Sequence, residues 1–514
     1  MNGADALIET LLANEVDACF ANPGTSEMQF VAALDGQPAM RPVLCLFEGV
    51  ATGAADGFGR MADRPACTLL HLGPGYGNGL ANLHNARRAF TPLINVVGDH
   101  ATYHRQYDAP LNSDIPTIVG PNSLWVKSAD SADAVAALTA EAITASYGPP
   151  GGPVSLILPA DSAWTETGKG AVKAARPERK VPPGAAIEAA ARAVRAAKQP
   201  VILIGGQACR AEGLAQAARL AAHGVRVLAD TFVARQARGA GGFQPGRMQY
   251  FGEAALADLA GSDLMLLAGT SQPVAFFAYP DRPSLLVPEG CKLTTLAERS
   301  EDAVAAMRDL ADALGAPAQG PVQPLKRPDA PPTGAMTPQA AGASIARHLP
   351  EGAIICDDSV TSGGGVASQT GAAAPHEVLA LTGGAIGQAI PLSIGAAVAC
   401  PGRKVLSLNG DGAAMYTVQG LWTIARENLD VTVVVFANHA YRILNIELGR
   451  TGAGKAGPSA AKLLDLGDPR IDWVAMAKAM GLPAVRCETA ESFETAFAGA
   501  MRQTGPMFIE AAIG

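Results

Sequence analysis

Short, continuous apolar runs recur along the whole chain, and segments with helical periodicity separate them. Because neighbouring residues within each run are apolar, the strands they predict must be buried on both faces. Strands of this kind, alternating with helices, are typical of parallel sheets built from βαβ units. The pattern therefore predicts an α/β protein with doubly wound parallel sheets, whose strands lie at 43–47, 67–72, 93–98, 154–158, 201–205, 225–229, 264–269, 353–358, 404–409, 431–438 and 507–511.

Two stretches interrupt this alternation. Residues 166–185 are charged and contain proline, and residues 316–334 contain six prolines. Both compositions are typical of linkers between domains. A chain of 514 residues is too long for one hydrophobic core and has room for about three domains. We therefore predict three α/β domains at 1–165, 186–315 and 335–514.

The composition excludes several classes of partner. The formal net charge is −8 and lysine and arginine do not cluster, so nucleic acid is not expected to bind. No apolar run reaches the ~18 residues of a membrane span, and residues 1–20 do not have the pattern of a signal peptide. The eight cysteines form no CxxC pair, which predicts neither a zinc site nor a disulfide framework. We expect a cytoplasmic protein without a membrane partner.

A carboxylate flanked by glycines follows one of the buried strands. Gly410-Asp411-Gly412 comes directly after a predicted strand, and the next strand along the chain ends at Asn438. Ligands of open α/β sheets bind where parallel strands end, and glycine lets a bulky group approach the backbone. Two neighbouring strands could thus bring a carboxylate and an amide oxygen to one Mg²⁺ ion with a diphosphate. Alone, Asp411 could belong to an ordinary turn; its pairing with Asn438 favours the metal site.

Two further polar residues also follow predicted strands. Glu48 precedes a helix of small residues at 49–60, and is either a buried general acid or base or an acid favoured by the helix N-terminus. His71 precedes a glycine-rich turn at 73–79, and is either a hydrogen-bonded core residue or part of a site. The small face of the helix at 49–60 predicts close helix packing, such as a subunit interface.

No nucleotide fingerprint accompanies these residues. The chain contains no GxxxxGK[ST] sequence, and the glycine-rich stretches at 73–79 and 383–395 lack the GxGxxG spacing. The fold class would permit a nucleotide-dependent oxidoreductase, but the missing fingerprint disfavours it.

Taken together, these motifs resemble those of thiamine-diphosphate enzymes. The stretch from Asp411 to Asn438 is similar to that family's GDG-to-Asn motif, whose usual Asn-Asn ending is here Asn438-His439. Glu48 and the helix after it are similar to the glutamate and helix that bind the coenzyme pyrimidine. Three further motifs match, namely NPGTSE (22–27), HLGPGYGN (71–78) and GGAIGQAIPLSIGAA (383–397).

The resemblance covers the whole chain and indicates the branch of acetolactate synthases and benzoylformate decarboxylases. It implies that the three predicted domains are, in order, a pyrimidine-binding, a middle and a diphosphate-binding domain. The catalytic residues would be Glu48, His71 and Thr25. The ligands of Mg²⁺ would be Asp411, Asn438 and the backbone carbonyl of Ala440. The other residues that bind thiamine diphosphate would be Pro23, Gly75, Asn78, Gly384, Ile386, Gly410, Gly412, Ala413 and Tyr441, with Glu48 at the pyrimidine ring. The substrate pocket would be lined by Thr25, His71, Phe276, Phe277 and Leu444.

The implied function is decarboxylation of a small-molecule 2-oxo acid, or its joining to a second carbonyl compound as in acetolactate synthases, with thiamine diphosphate and Mg²⁺. A benzoylformate-decarboxylase-like activity is the alternative. The middle-domain histidine of that enzyme has no counterpart, since residues 272–283 carry Phe276, Phe277 and Tyr279 instead. FAD is possible, but the middle block does not match the flavin-binding domain of acetolactate synthases.

The resemblance also implies a homodimer with shared active sites, assembled further into a homotetramer. Two other readings of the chain are less favoured. A non-catalytic paralogue would be expected to lack Glu48 or Asp411, and both are present. A lyase or hydrolase of CoA substrates would favour a basic C-terminal end, but residues 502–514 contain a single arginine.

Overall fold

Six strands of the first block form one parallel sheet in the computed structural model, which describes residues 1–513. The strands are β1 (Ala18–Asn22), β2 (Arg41–Leu44), β3 (Cys67–Leu70), β4 (Leu93–Asp99), β5 (Val126–Ser128) and β6 (Pro153–Pro159). Their order in the sheet is β2-β1-β3-β4-β6-β5. The helices between and after them are α1 (Gly3–Ala13), α2 (Met28–Ala33), α3 (Glu48–Ala62), α4 (Leu72–Ala89), α5 (Ile115–Val119), α6 (Ala132–Tyr147) and α7 (Ala160–Trp164).

The middle block contains a five-stranded parallel sheet and one strand that leaves it. Its strands are β7 (Pro200–Ile204), β8 (Arg226–Ala229), β9 (Gln236–Arg238), β10 (Gly246–Arg247), β11 (Leu264–Ala268) and β12 (Lys292–Ala297). The sheet order is β10-β8-β7-β11-β12, without β9. The helices are α8 (Gly184–Ala196), α9 (Ala211–Ala222), α10 (Gly252–Asp258) and α11 (Ala303–Leu314).

The third sheet takes six strands from the last block and β9 from the middle block. Its own strands are β13 (Ala353–Asp358), β14 (His376–Ala380), β15 (Val405–Gly410), β16 (Val431–Ala437), β17 (Ala484–Cys487) and β18 (Met507–Ala512). The order is β17-β18-β16-β15-β13-β14-β9, and β9 pairs antiparallel to β14. The helices are α12 (Pro338–His348), α13 (Gly363–Thr370), α14 (Ala389–Ala399), α15 (Asp411–Ala414), α16 (Gly420–Arg426), α17 (Arg442–Arg450), α18 (Pro458–Leu464), α19 (Trp473–Ala479) and α20 (Ala490–Arg502).

Three sheets of parallel strands with helices between them confirm the predicted α/β class. Every strand predicted from an apolar run is present, with ends shifted by at most a few residues. The antiparallel strand β9 was not expected, and it ties the middle block to the edge of the third sheet. The predicted domain boundaries themselves stay predictions. No helix within residues 1–513 is both long enough and apolar enough to cross a bilayer.

The first and third sheets share one hydrophobic core, in which α3 and α14 lie side by side. Both helices are buried along almost their whole length. A side chain at Gly57 would overlap with the backbone of Leu392, and one at Gly395 would overlap with the backbone of Ala54. The small face of α3 was predicted to pack closely against another helix, for example at a subunit interface. The close packing is present, and the second helix is α14 of the same chain, because glycines there let the two helices approach closely.

Candidate active site

Asp411 lies where β15 ends beside β16. The strands pair in parallel with Gly410 opposite Phe436, so Asp411 reaches the loop that follows β16. Asp411 Oδ2 accepts a hydrogen bond from the His439 backbone N–H at 2.6 Å, and Oδ1 accepts one from the Gly412 N–H at 2.9 Å. Asp411 is 3% exposed. Burial raises the pKa of its carboxyl, and the two N–H groups oppose that rise.

The loop after β16 makes a tight turn next to Asp411. Asn438 Oδ1 accepts a hydrogen bond from the Ala440 N–H at 2.9 Å, and His439 between them has a positive φ of 54°. Such a backbone conformation is uncommon for a residue with a side chain and often marks a functional turn. The turn is held on its other side, where the Tyr441 N–H donates to the Leu464 carbonyl.

These residues fit a magnesium ion that carries a diphosphate. A buried carboxylate is costly unless donors or a cation compensate its desolvation, and each Asp411 oxygen accepts only one backbone N–H and keeps a free lone pair. A side chain at Gly412 would overlap with the Tyr441 ring, so glycine lets this ring pack directly against the backbone at the strand end. No group of three or more His, Cys, Asp and Glu gathers within residues 1–513.

Glu48 is the first residue of α3, and α4 holds its carboxylate. Asn78 Nδ2 donates to Glu48 Oε2 at 3.0 Å, and Glu48 is 6% exposed. A Cβ at Gly75 would lie 3.1 Å from Glu48 Oε1 and 3.3 Å from His71 Cβ. Glycine at position 75 therefore lets α4 lie close to Glu48 and His71, two of the three predicted catalytic residues, and Asn78 orients the carboxylate of Glu48.

His71 is held by a buried carboxylate, Glu27, that was not among the predicted site residues. Glu27 Oε2 lies 2.8 Å from His71 Nδ1, and Ser26 Oγ lies 3.2 Å from the same nitrogen. The Glu27 side chain is 1% exposed and that of His71 is 23% exposed. Because Nδ1 faces Glu27, Nε2 is the ring atom open to a substrate. Thr25 is exposed at the start of the same turn. The contacts with His71 come from the next two residues, Ser26 and Glu27.

The predicted pocket aromatics lie against the segment that carries Gly384. A Cβ at Gly384 would be 2.7 Å from Phe276 Cζ, and the Phe276 and Phe277 ring centroids are 4.9 Å apart. Phe276 is 41% exposed, Phe277 is 52% exposed, and Leu444 on α17 is 44% exposed. The structure thus brings the two phenylalanines of the middle block to one of the predicted coenzyme residues and leaves apolar surface open beside it.

Asp358, at the end of β13, binds the C-terminal end of the 382–388 segment, which carries Gly384 and Ile386. It was not among the predicted site residues. Its Oδ2 accepts the N–H groups of Gly387 at 2.7 Å and Gln388 at 2.9 Å, while Oδ1 has no hydrogen-bond partner within residues 1–513. Burial raises the pKa of Asp358 to about 7. The strand 353–358 ends in two aspartates, the same signal that singled out Asp411. Ile386 is half-buried and lies outside the apolar core.

Asp358→Asn is expected to make the free energy of unfolding less dependent on pH. A carboxyl whose pKa is about 7 when folded and 3.8 ordinarily binds its proton more tightly in the native state. Its contribution to stability is complete below about pH 4 and is lost as the pH rises through about 7. Asparagine has no proton to lose. We expect the Tm of the unaltered chain, without coenzyme, to fall relative to that of the variant across this window. Parallel Tm–pH curves would contradict the role of this carboxyl.

A wide cleft lies elsewhere, between the first block and the middle sheet. It encloses about 910 Å³ and none of the predicted site residues lines it. Its walls are rich in arginine, including Arg88, Arg179, Arg210, Arg235 and Arg299. This cleft is therefore separate from the predicted site, which is defined by buried carboxylates at strand and helix ends.

Two family models match the chain. The thiamine pyrophosphate enzyme N-terminal TPP-binding domain matches residues 1–117, and the C-terminal TPP-binding domain matches residues 359–511. The second match contains the Asp411–Asn438 region, and the first contains Glu48 and His71. The chain therefore belongs to the family of thiamine-diphosphate enzymes, as the motifs predicted, and carries both coenzyme-binding domains.

Individual relatives belong to the branch that the motifs indicated. A Mycobacterium tuberculosis protein, provisionally named acetolactate synthase large subunit IlvX, is 50% identical over 518 aligned residues, covering 100% of this chain and 99% of its own length. Benzoylformate decarboxylase of Pseudomonas aeruginosa is 28% identical, covering 98% of this chain and 97% of its own. The solved structure of thiamine diphosphate-dependent 4-hydroxybenzoylformate decarboxylase of Rhodococcus jostii RHA1 superposes with a TM-score of 0.87 at 24% identity, over 100% of this chain and 99% of that one. This last likeness shows the fold.

Proposed function

We propose that the chain is a thiamine-diphosphate- and Mg²⁺-dependent enzyme that decarboxylates a 2-oxo acid and then releases an aldehyde or joins the remaining group to a second carbonyl compound. One observation carries the proposal: Asp411 is a buried carboxylate with free lone pairs at the joined ends of β15 and β16, next to Asn438. In a chain with both coenzyme-binding domains, a metal-bound diphosphate gives this carboxylate its counter-charge.

Bound thiamine diphosphate supplies a carbon acid that adds to the ketone of the substrate and stores the electron pair freed when carbon dioxide leaves. In our proposal Asp411, Asn438 and the Ala440 carbonyl hold Mg²⁺ and so fix the diphosphate. The Gly412 N–H already donates to Asp411. The Ala413 N–H, in the first turn of α15, is therefore the stronger candidate as a phosphate donor.

Glu48 acts at the other end of the coenzyme. Its buried carboxylate holds a proton at a pyrimidine ring nitrogen, and Asn78 keeps the carboxylate in one orientation. His71 Nε2 and the exposed Thr25 hydroxyl then serve the substrate carboxylate or the oxyanion that develops on its ketone. Glu27 fixes the tautomer of His71 by accepting from Nδ1.

The choice between a small aliphatic and an aromatic substrate is open to a direct test. An acetolactate-synthase-like reaction of pyruvate is our first candidate, in line with the 50% identical relative. An aromatic 2-oxo acid is the second, and one feature favours it: Phe276 and Phe277 leave exposed aromatic surface beside Gly384. FAD is not part of the proposal.

We further propose that the active unit is a homodimer with shared active sites, assembled into a homotetramer. The polar contact of Glu48 comes from the first block, whereas the metal ligands lie in the third. Apolar side chains close in sequence to these two parts of the site, Leu46 near Glu48 and Tyr416 near Asp411, are about half exposed. They are open to contact with a second copy of the chain. All eight cysteines are free, which fits a reducing compartment such as the cytoplasm.

A coupled assay tests the reaction. The purified protein is given Mg²⁺ and thiamine diphosphate, with pyruvate and benzoylformate in separate reactions, and carbon dioxide, aldehyde and acyloin products are quantified. Acetolactate from pyruvate would support the first candidate, and benzaldehyde from benzoylformate the second. Coenzyme binding by calorimetry without turnover of these or other 2-oxo acids would contradict the enzymatic proposal and leave a non-catalytic coenzyme-binding protein.

Glu27→Gln is expected to lower kcat/KM by about tenfold to a hundredfold, because an outer carboxylate that orients a functional histidine typically contributes that much. Coenzyme affinity should stay the same, since Glu27 hydrogen-bonds only to His71 and its own turn. Glu494→Gln is the matched control, because Glu494 makes a similar 2.7 Å contact with His348 away from the site. Equal kcat/KM values for the two variants would contradict the role of Glu27.

A further inference from the structure

The 382–388 segment, which carries Gly384 and Ile386, is bound to the first block of the same chain. Asn85 in α4 pairs with Ala385 through both polar atoms of its side-chain amide. Nδ2 donates to the Ala385 carbonyl at 2.8 Å, and Oδ1 accepts from the Ala385 N–H at 3.2 Å. Asn85 is fully buried. The two bonds fix both the position and the orientation of the peptide next to Ile386.

Both ends of the segment are held by an ion pair in α3. Asp56 and Arg60 are buried and bind each other through two bonds, at 2.9 and 2.6 Å. Gln388 Nε2 donates to Asp56 Oδ2 at 2.8 Å, and Arg60 Nη2 donates to Thr382 Oγ1 at 3.1 Å. The Thr382 hydroxyl donates in turn to the Asn85 carbonyl at 2.8 Å. A buried ion pair contributes little net stability, but it fixes geometry when all its partners are in place.

Close contacts at two glycines restrict the position of the 382–388 segment. A side chain at Gly383 would overlap with Asn85, and one at Gly387 would overlap with Tyr416. Gly387 also has φ of +94°, which a residue with a side chain rarely adopts. The segment thus fits between α4 and the third block, and hydrogen bonds from the first block, together with those of Asp358, hold it in this conformation.

We propose that Asn85 and the Asp56–Arg60 pair are positioning residues for coenzyme binding, acting through the 382–388 segment. The inference rests on the proposed function. These residues touch neither the coenzyme nor the substrate; they set the position of Ile386 and of the glycine peptides beside it. Without Asn85, the half-buried N–H and C=O groups of Ala385 lose their hydrogen-bond partners, and the segment is free to move away from α4. The α3 and α4 helices therefore serve two purposes, since they also hold Glu48 and Asn78.

Asn85→Ala tests the proposal against Asn95→Ala. Asn95 in β4 is also fully buried, donates to the Val154 carbonyl at 3.1 Å and accepts from the Thr68 hydroxyl at 2.9 Å, away from the segment. The Kd of thiamine diphosphate with Mg²⁺ is measured by calorimetry, and the Tm by thermal unfolding. We expect both variants to lower the Tm, but only Asn85→Ala to raise the coenzyme Kd, by about tenfold or more. At saturating coenzyme its kcat should be largely retained.

Equal coenzyme Kd values for both variants and the unaltered chain would overturn the positioning role and leave the proposed function intact. An equal rise in Kd for both variants would also overturn it, because the effect would then follow from general destabilisation. If the unaltered chain itself binds no thiamine diphosphate with Mg²⁺, the proposed function fails, and the inference with it.

Thr382→Val provides a second test if Asn85→Ala does not fold. It removes only the hydroxyl that joins Arg60 to Asn85 and keeps the shape of the side chain. We expect a rise in the coenzyme Kd of about threefold, as for the loss of one typical hydrogen bond, with little change in Tm. A Kd equal to that of the unaltered chain would overturn the inference.

Discussion

Glu48→Gln is expected to lower turnover by about a hundredfold to ten-thousandfold, the range in which positioned acid–base groups contribute. Glutamine keeps the size of the side chain, and its Oε1 can still accept from Asn78 Nδ2, which donates to Glu48 at 3.0 Å. What it loses is the ability to exchange a proton with the pyrimidine ring. The fold and the affinity for Mg²⁺ and thiamine diphosphate should therefore change little. Steady-state kinetics at saturating coenzyme, with calorimetry of coenzyme binding, measure the two effects separately.

The control for this variant is Glu494→Gln, which removes one carboxylate charge on α20. It should leave turnover near that of the unaltered chain. Near-normal turnover of Glu48→Gln with any substrate that the unaltered chain decarboxylates would refute the acid–base role. A large loss of coenzyme affinity would instead indicate that Glu48 mainly holds the coenzyme in place.

Most of the strands that were predicted correctly are buried on both faces of their sheet; the edge strand β2, exposed at Arg41 and Pro42, is the exception. Burial on both faces requires consecutive apolar residues, so a continuous apolar run such as 431–438 predicts the strand directly. The strands that were not predicted lie mostly at sheet edges, and the sequences of those edge strands lack a continuous apolar run. β12 (Lys292–Ala297) has polar residues in its middle, and β9 (Gln236–Arg238) is a strand only because β14 of another block lies beside it. Such pairing depends on tertiary context and leaves no local pattern.

The residues of the candidate site likewise fall into those that the sequence could predict and those that it could not. Asp411 and Glu48 could be identified because a carboxylate after a buried strand is unusual and calls for a partner. The partners of the site residues could not be identified, because their sequence positions are unremarkable. Glu27 is 44 residues from His71, and Asn85 is 300 residues from Ala385. Only the packing of α4 against the strand ends and the third block brings these pairs together.

The small face of α3 shows that a sequence can predict close packing without identifying the packing partner. Closely spaced glycines and alanines predict that a helix packs tightly, and α3 does so. The sequence contains no information about whether the second helix belongs to the same chain or to another copy. In the structure that helix is α14 of the same chain.

Asp411→Asn is expected to weaken the binding of thiamine diphosphate at fixed Mg²⁺ by at least about a hundredfold. Residues that only hydrogen-bond to a metal ligand typically contribute about tenfold to a hundredfold in metal affinity or activity, and a ligand itself should contribute more. Asparagine has nearly the same size but no charge. Its amide nitrogen must also face one of the two backbone N–H groups, of Gly412 or His439, that the carboxylate accepts. The variant thus loses the counter-charge for Mg²⁺ and one hydrogen bond at once. Calorimetric titration with coenzyme at several Mg²⁺ concentrations measures the effect.

The control is Asp472→Asn, because the Asp472 carboxylate also accepts a backbone N–H, from Ala475 at 2.9 Å, at the start of α19. It should leave the coenzyme Kd unchanged. The dependence on Mg²⁺ separates a metal ligand from a residue that only shapes the loop. If Asp411 binds the ion, raising the Mg²⁺ concentration should partly restore coenzyme affinity in Asp411→Asn. If it only orders the loop after β16, affinity should be low at every Mg²⁺ concentration. Unchanged affinity would remove Asp411 from the site, and with it the observation on which the proposed function depends.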